Sequence, residues 1–247
     1  MSEAAELRVV PVQGLPEIQL GAKLGALIAE HAELADGDVM VISQKVVSKA
    51  EGRVRRLSSA TPGAEAHKLA AVLGKEPALV QLILDESAEV LRAERGVLIT
   101  ETHHGFVCAN AGVDSSNLPD DDTVCLLPED PDASARRIRG ELSPAVAVVI
   151  ADSFGRAWRL GQTEIAIGCA GLVPLDDWRG RVDAHGQELE ATLIAIADEV
   201  AAVADLVRSK DSRIPVVIVR GLNRFVTAED GPGAQALRRP TADDLFR

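Results

Sequence analysis

The sequence predicts a fold in which β-strands and α-helices are interspersed, and three observations support this. Short, nearly continuous runs of Val, Ile and Ala, of which residues 145–150 are the clearest, are typical of strands buried on both faces. Elsewhere apolar residues recur at helical spacing, as they do within 21–34. Apolar residues make up 47% of the 247 residues, which is enough for the core of one large domain or two small ones.

The composition narrows the classes of partner. Aromatic residues make up 2% and Tyr is absent, so the exposed rings that stack on single-stranded nucleic acid are not expected. A formal charge of -12 argues against binding to nucleic acid or to an anionic membrane. The three cysteines lack metal-ligand spacing and are predicted to be buried free thiols. Since the sequence shows neither a signal-peptide core nor an apolar run of about 20 residues, we expect a cytoplasmic protein.

Turn residues divide the first half of the chain into elements. The turn at 14–16 ends a first strand, the turn at 36–38 precedes a second, and a charged turn at 92–96 separates two short strands. Thr61 and Pro62 form a good helix start, with Thr as the N-cap and Pro at the first helical position. We therefore predict helices at 21–34, 65–73 and 77–86, and strands at 7–12, 39–42, 90–91, 97–99 and 105–109.

Turn residues and apolar periodicity also divide the second half of the chain into elements. Asp130 and Pro131 form a helix start, and the turn at 185–186 leads into the longest helix, whose apolar stripe faces the core. We predict helices at 132–142 and 190–207, and strands at 123–127, 145–150, 162–169 and 214–219. From Thr227 onward the periodicity fails. The chain is therefore predicted to form one domain, or two subdomains, over residues 1–226, and a linker-like tail over 227–247.

Polar side chains follow two of the apolar strands at the point where each is predicted to end. After the strand at 105–109 the chain breaks at a glycine and presents Asp114, two serines and Asn117. After the strand at 145–150 it presents Asp152, Ser153 and Arg156. Each aspartate is accompanied by a hydroxyl, which is the layout of a loop that holds something polar. The alternative is that both aspartates merely cap turns.

A third polar segment, residues 43–53, follows the strand at 39–42. It carries Lys45 and Lys49 directly after a buried strand, where lysine is costly unless an anion meets it. The segment is either a phosphate-binding element or a solvated strand edge, and its own sequence does not decide between them. It is not a Walker loop, because the glycine-rich approach and the Gly-Lys-Ser/Thr ending are missing.

Together these segments are suited to one kind of chemistry. Asp114 and Asp152 with a neighbouring serine hydroxyl are hard oxygen ligands of the kind that Mg²⁺ and Mn²⁺ prefer. Cations nearby would neutralise phosphate, and the candidates are Lys45, Lys49 and Arg156. The combination predicts a metal–nucleotide site for phosphoryl transfer.

The same segments carry a family resemblance. Over residues 7 to 226 the sequence resembles the coenzyme F-420:L-glutamate ligases, also called F-420-0:gamma-glutamyl ligases. The strings that carry the likeness, in chain order, are PVQGLP (11–16), VSKAEG (47–52), ANAGVDSSN (109–117), DSFGRAWR (152–159) and IPVVIVRGL (214–222).

The resemblance implies a GTP-dependent ligase that joins L-glutamate to the lactyl carboxylate of the coenzyme F-420 precursor and then extends a gamma-linked glutamate tail. It implies an acyl-phosphate intermediate, a divalent ion (Mg²⁺ or Mn²⁺) and K⁺. It also implies an α+β fold class, with mixed β-sheets, flanking helices and the distinctive gamma-glutamyl ligase fold, assembled as an intertwined homodimer.

The resemblance further implies roles for single residues. Asp114, Asp152 and Ser153 fall on metal ligands of the family. The residues that fall on GTP contacts are Gly14, Leu15, Pro16, Glu17, Gln44, Lys45, Lys49 and Asn117. The connector at 208–215, which includes Lys210, lines the nucleotide site in the family. Lys45, Lys49 and Arg156 are the predicted catalytic cations, and Arg156 with Arg159 is a candidate for holding the anionic substrate or the incoming glutamate.

The resemblance extends to the tail, which looks like the linker of two-domain actinobacterial relatives that continue into an FMN-binding, nitroreductase-like domain. We expect either part of such a protein or a stand-alone ligase. Two other functions stay open at this point: an NTP-dependent ligase for another carboxylate, and a nucleotide-binding regulatory domain.

Overall fold

The structure is a computed structural model that describes residues 6–116, 118, 120–142, 145–209 and 211–245. It is a mixed α+β fold, as predicted. In chain order its elements are β1 (Arg8–Pro11), α1 (Leu24–His31), β2 (Val39–Ser43), α2 (Gln44–Ala50), β3 (Val54–Arg56), α3 (Ala64–Leu73), α4 (Pro77–Asp85), β4 (Ser87–Glu94), β5 (Val97–Thr102), β6 (Val107–Ala109), β7 (Thr123–Cys125), α5 (Pro131–Gly140), β8 (Ala147–Arg156), β9 (Arg159–Ala170), β10 (Asp176–Asp177), β11 (Leu193–Ile194), α6 (Ile196–Asp205) and β12 (Val216–Arg220).

The central sheet has the strand order β1-β12-β2-β8-β9. β2 and β8 run parallel, with Ser43 opposite Ala151, and the other neighbours are antiparallel. Both faces of this pair are covered, which explains the unbroken apolar runs that the sequence shows there. One face packs against α1 and α5. The other packs against α6.

A second apolar cluster lies outside the central sheet. It is formed by α3 and α4 packed on β5, β7 and the loop after β6. The strands of this part belong to two small sheets, with the orders β4-β5-β6 and β3-β7. The chain enters this part after α2 and leaves it before α5, so the loop that carries Asp114 belongs to this part.

Most predicted elements are confirmed within a few residues, and four differ. Residues 44–50 form helix α2, where the sequence suggested no helix. The helix expected at 190–207 begins only at Ile196, because the chain before it pairs as β11. The helix that follows Thr61 starts at Ala64, with Gly63 rather than Thr61 as its N-cap. The strand at 145–150 does not end at Asp152, because β8 continues in antiparallel pairing with β9 as far as Arg156.

The tail predicted to be a linker begins with residues that pack on the domain. Asp230 forms an ion pair with Arg139 of α5 at 2.6 Å. The backbone amide of Ala234, a buried residue, donates to Asp132 at 2.7 Å. Arg238 lies over the ring of Phe106 at 5.9 Å. The first dozen residues of the tail are therefore part of the folded structure.

Arg139 of α5 is the main attachment of the tail. Its guanidinium donates to Asp230 and to the main-chain oxygens of Val146, Thr227 and Ala228 at 2.6 to 2.9 Å. We expect Arg139→Met to lower the free energy of unfolding by about 3 kcal/mol, because buried acceptors lose a charged donor. Urea unfolding of this variant beside Arg136→Met, on the same helix, tests the expectation. Equal midpoints for the two variants would contradict it.

Within the described residues, no helix combines the length and the apolar character that a membrane span requires.

Candidate active site

The candidate site is built where the parallel pairing of β2 and β8 ends, at Ser43 and Ala151. Because the strands are parallel, the residues that follow them meet at one edge of the sheet. β2 leads directly into α2, so Lys45 lies in the first turn of that helix. Gln44 is buried and accepts a hydrogen bond from Ser48 Oγ at 2.9 Å. Gln44, predicted as a GTP contact, is therefore turned into the protein in this structure.

Lys45 is held among oxygen atoms of the loop after β6. Its Nζ lies 2.8 Å from Asp114 Oδ2, 2.6 Å from the main-chain oxygen of Ser116 and 3.0 Å from Ser116 Oγ. Two segments that the sequence singled out separately, 43–53 and 109–117, thus meet at an ion pair. The alternative of a solvated strand edge is wrong for the first segment, because residues 44–50 form helix α2. Phosphate binding by this segment stays a prediction.

Asp114 is fixed from several sides. Its backbone pairs with Cys125 in an isolated antiparallel bridge. Its carboxylate accepts the backbone amide of Ser116 at 2.7 Å and the Ser116 hydroxyl at 3.0 Å. Burial alone would raise the pKa of this carboxyl, but the hydrogen bonds from Lys45 and Ser116 outweigh burial, so the pKa is lowered. Asp114 is therefore anionic and oriented.

The backbone that delivers Asp114 is bent sharply. Asn110, Ala111 and Gly112 all have positive φ, at 53°, 52° and 71°. Positive φ is costly for residues with a side chain, and such strain is concentrated at functional sites. The Oδ1 atom of Asn110 is also buried without a hydrogen-bond partner in the described structure. The conformation of the turn after β6 is therefore stabilised by the packing around it and not by the intrinsic backbone preferences of its residues.

Gly112 is the residue on which this turn most depends. A β-carbon there would lie 2.7 Å from the Leu127 side chain. We expect Gly112→Ala to lower the free energy of unfolding by about 2–4 kcal/mol, combining the positive φ with overpacking. Gly180 is a matched control, because its φ is +76° and its β-carbon would meet nothing within 4 Å. Gly180→Ala should cost about 1 kcal/mol. Equal losses in thermal unfolding would argue against the clash.

Asp152 lies within β8, one residue beyond the end of its pairing with β2. It is partly buried, on the face that carries Cys108 and Phe154. Burial, then the nearby Glu164 and then Asp114, raise the pKa of Asp152 to about 7, although the backbone amide of Ser153 and Lys45 act in the opposite direction. Asp114 and Lys45 are therefore close enough to Asp152 to interact with its charge.

Ser153 does not join this cluster through its side chain. Successive residues of a strand point to opposite faces. Ser153 pairs across the sheet with Glu164 and donates its hydroxyl hydrogen to that carboxylate. This is the face that packs against α6, so the Ser153 hydroxyl and the Asp152 side chain lie on opposite faces of the sheet.

Glu164 and Arg208 are residues that the sequence-based interpretation missed. Both are buried, with side-chain exposures of 6% and 8%, and they form an ion pair at 2.8 Å. An acid directly before the apolar run 165–167 was the signal that could have indicated Glu164. Arg208 lies in the connector at 208–215, but it is 44 residues from Glu164 in sequence, and nothing local indicates their contact.

Lys49 lies in the last turn of α2 and faces Glu17, which follows the turn at 14–16. Lys49 Nζ is 2.5 Å from Glu17 Oε1, and Glu17 is largely exposed. Gly14 has a φ of +81°, Pro16 is exposed and Leu15 packs against the core. The predicted phosphate cation and the predicted nucleotide-binding turn are thus neighbours, as the prediction requires.

Arg156 is not brought into the cluster. It lies at the tip of the β8–β9 hairpin, exposed, and donates to the main-chain oxygen of Leu160 at 3.0 Å. Four steps along the strand, at about 3.3 Å each, separate it from Asp152. Arg159 is exposed at the same tip. Asn117 and Lys210, both predicted GTP contacts, lie outside the described residues.

The residues present fit a divalent ion. Mg²⁺ is usually bound by one or two carboxylates together with substrate phosphates and waters, and Asp114 and Asp152 would supply such a pair. Burial first, and then repulsion by Glu164 and Asp114, raises the pKa of Asp152, and a bound cation would favour its charged form. In the described part of the chain no three His, Cys, Asp or Glu side chains converge as a protein-only metal site would require. An ion here would therefore complete its coordination with substrate oxygens.

Thiolate chemistry does not contribute. Cys108, Cys125 and Cys169 are free and buried, as predicted. Burial raises the pKa of the Cys108 thiol, which faces Asp152, to about 12, and that of Cys125 to about 11. Both thiols stay protonated at neutral pH and are poor nucleophiles and metal ligands.

The arrangement can be compared with known proteins. Residues 14–221 match the family model described as F420-0:Gamma-glutamyl ligase. The chain belongs to this family. The coenzyme F420:L-glutamate ligase of Methanothermobacter thermautotrophicus is 42% identical over 98% of this chain and 99% of its own length. The enzymes of the same name from Methanocaldococcus jannaschii and Methanopyrus kandleri are each 43% identical, over 98% of both chains.

Membership of the F420-0:gamma-glutamyl ligase family identifies the chain as a ligase, which confirms the predicted enzyme class and removes the regulatory-domain alternative. The family match begins at Gly14 and spans Lys45, Asp114 and Asp152. All the residues that the structure gathers at the end of β2 and β8 therefore lie inside the matched region.

Proposed function

We propose that this ligase joins L-glutamate to the lactyl carboxylate of the coenzyme F420 precursor, F420-0, at the expense of GTP, and then extends a gamma-linked glutamate tail. The observation that carries the proposal is the convergence of Lys45, Asp114 and Asp152 at the end of two parallel strands, in a chain of the F420-0:gamma-glutamyl ligase family. A cation beside two carboxylates suits a phosphate and its divalent ion.

A carboxylate and an amine do not condense unaided in water, so the carboxylate has to be activated. An oxygen of the precursor carboxylate attacks the γ-phosphorus of GTP, the bond to the bridging oxygen breaks and GDP leaves. The glutamate amine then attacks the acyl carbon of the acyl phosphate, phosphate departs with the oxygen it gained, and the amine loses a proton. The product is an amide, GDP and phosphate.

The residues of the chain have distinct tasks in this scheme. Lys45 and Lys49 would neutralise the charge of the transferring phosphoryl group. Asp114 and Asp152 would hold Mg²⁺ or Mn²⁺, which polarises the phosphoryl oxygens when bound. K⁺ is proposed as an accessory cation. Arg156 would reach the substrates only if the hairpin tip bends over the site or serves a second subunit.

The hairpin tip also supports the proposal of an intertwined homodimer with the distinctive fold of the family. Trp158 and Leu160 are 80% and 98% exposed at that tip. Large exposed apolar side chains on a projecting hairpin are typical of interfaces. Sedimentation velocity of the wild-type protein beside Trp158→Ser/Leu160→Ser should show a dimer for the first and a larger monomer fraction for the second. Two monomeric proteins would refute the dimer.

The proposed reaction is tested with GTP, Mn²⁺, L-glutamate and F420-0. We expect GDP release that depends on both other substrates, and products whose mass increases by whole glutamyl residues. Mass spectrometry of the product counts the glutamates that were added. GTP binding without GDP release under these conditions, with L-glutamate and F420-0 both present, would overturn the proposal.

A further inference from the structure

The ion pair between Glu164 and Arg208 lies behind the site, on the face of the sheet opposite Asp152. Arg208 Nη2 donates to Glu164 Oε2 at 2.8 Å, and Arg208 Nε donates to Asp205 Oδ1 at 3.2 Å. Glu164 also accepts the hydroxyl of Ser153. One guanidinium thus joins β9, the end of α6 and, through Glu164, the residue that follows Asp152.

This pair is not explained by stability. Buried ion pairs often contribute little or nothing beyond what apolar residues of similar volume would. Here Glu164 places a buried carboxylate directly across the sheet from Ser153, the residue that follows Asp152. Arg208 also keeps a buried Nη1 atom without a hydrogen-bond partner in the described structure. Several unfavourable features at one place are typical of positions retained for function.

The location of the pair indicates what that function is. Arg208 is the first residue of the connector that leads from α6 towards β12, and Glu164 holds Ser153 next to Asp152. The pair therefore fixes two segments at once: the part of β8 that carries Asp152 and Ser153, and residues 208–209 at the start of the connector. A rigid support behind a catalytic group is a general requirement for precise chemistry.

We propose that Glu164 and Arg208 are positioning residues of the ligase, which hold the Asp152–Ser153 segment and the connector in register for a metal–nucleotide complex. The proposal rests on the proposed function, because it assumes that the site binds GTP with a divalent ion. Neither residue touches substrate. Their effect is transmitted through Ser153 on one side and through the connector on the other.

The test measures binding of GDP with Mn²⁺ by isothermal titration calorimetry. We expect Glu164→Gln and Arg208→Met each to weaken binding about tenfold, in the range that supporting residues of metal sites show. The double variant should be no weaker than the single variants, because the two residues act as one unit. Arg208→Lys keeps the charge but not the two-carboxylate bridge, and should fall between wild type and Arg208→Met.

A matched control separates positioning from folding. Asp38 is 2% exposed and pairs with Arg220 at 2.9 Å, at the opposite end of β2. Asp38→Asn also removes one charge from a buried arginine pair. It should lower the melting temperature but leave the affinity for GDP with Mn²⁺ unchanged.

Two results would overturn the proposal in different ways. If Glu164→Gln and Arg208→Met lower the melting temperature while their affinities stay within twofold of wild type, the pair is structural and the proposed nucleotide site stands. If wild type, Asp114→Asn and Asp152→Asn all bind GDP with Mn²⁺ alike, the proposed metal site fails and the positioning role fails with it.

Discussion

Replacing Asp152 by Asn is expected to reduce glutamate-dependent GDP release by about 1000-fold, and to raise the melting temperature of the metal-free protein at pH 8 by about 2–4 °C. The loss of activity follows from removing one of the two proposed metal carboxylates. The gain in stability follows because the charged form of Asp152 is disfavoured by burial and then by Glu164, and Asn is neutral.

The sign of the pH dependence follows from the raised pKa. Asp152 binds a proton more tightly in the folded state than in the unfolded chain, where its pKa is about 4. Its favourable contribution is fully present below about pH 4 and is lost as the pH rises through about 7. The advantage of Asp152→Asn should therefore be largest above pH 7 and vanish below pH 4. Melting curves across this range measure it.

Asp198→Asn is the control for the loss of activity and the gain in stability expected of Asp152→Asn. Asp198 is also partly buried with a raised pKa, but it accepts the backbone amide of Ala166 on the face that packs against α6. Its replacement should leave ligase activity within twofold of wild type. The metal assignment would be wrong if Asp152→Asn retained more than a tenth of the activity. The electrostatic account would be wrong if that variant melted lower at pH 8.

Replacing Lys45 by Met is expected to reduce kcat for GDP formation by about 100- to 1000-fold, the usual cost of removing a preorganised charge at a reacting phosphate. The ammonium of Lys45 is the cation closest to Asp114, at 2.8 Å, and stands at the start of α2. Lys45→Arg should restore little, because a planar guanidinium does not fit among the three oxygens that surround the ammonium.

Steady-state kinetics at saturating GTP, L-glutamate and F420-0 provide the measurement for Lys45→Met. Lys68→Met, at an exposed position of α3, is the control and should match wild type. A variant that raised only the KM for GTP, with kcat unchanged, would show that Lys45 contributes to binding alone. That result would remove Lys45 from the catalytic set.

Elements could be predicted where the local residue pattern determines the secondary structure. The predictions failed where pairing or packing with distant parts of the chain determines it. β2 and β8 are readable because a strand covered on both faces has to be apolar throughout. α2 was missed because its serine, lysine and adjacent valines show no helical period, and the helix forms where β2 delivers the chain. Asp152 was expected at a strand end because the apolar run stops there, yet β9 continues to pair with β8 as far as Arg156.

The residues of the candidate site also fall into those that the local sequence indicates and those that only the tertiary structure reveals. Lys45, Asp114 and Asp152 were predicted because lysines or acids directly after buried strands are conspicuous in sequence, and the structure brings these three together. The geometry that separates Ser153 from Asp152 depends on strand alternation in a segment that was taken for a loop. Glu164 and Arg208 were missed because their significance arises only from a contact between distant parts of the chain.

The contact between Lys45 and Asp114 has a thermodynamic consequence for the order in which ligands act. In this pair the protein supplies its own counter-ion. In the proposed reaction, a phosphate that drew Lys45 away would therefore uncover Asp114, and a divalent ion bound by Asp114 would release Lys45. Whichever ligand binds first would have to break the ion pair. The second ligand would then bind a residue, Lys45 or Asp114, whose ion pair is already broken. By linkage, each ligand must raise the affinity for the other by the same factor. A metal–nucleotide complex that arrives as one unit exchanges both partners in a single step, with no larger movement than the rotation of a lysine side chain.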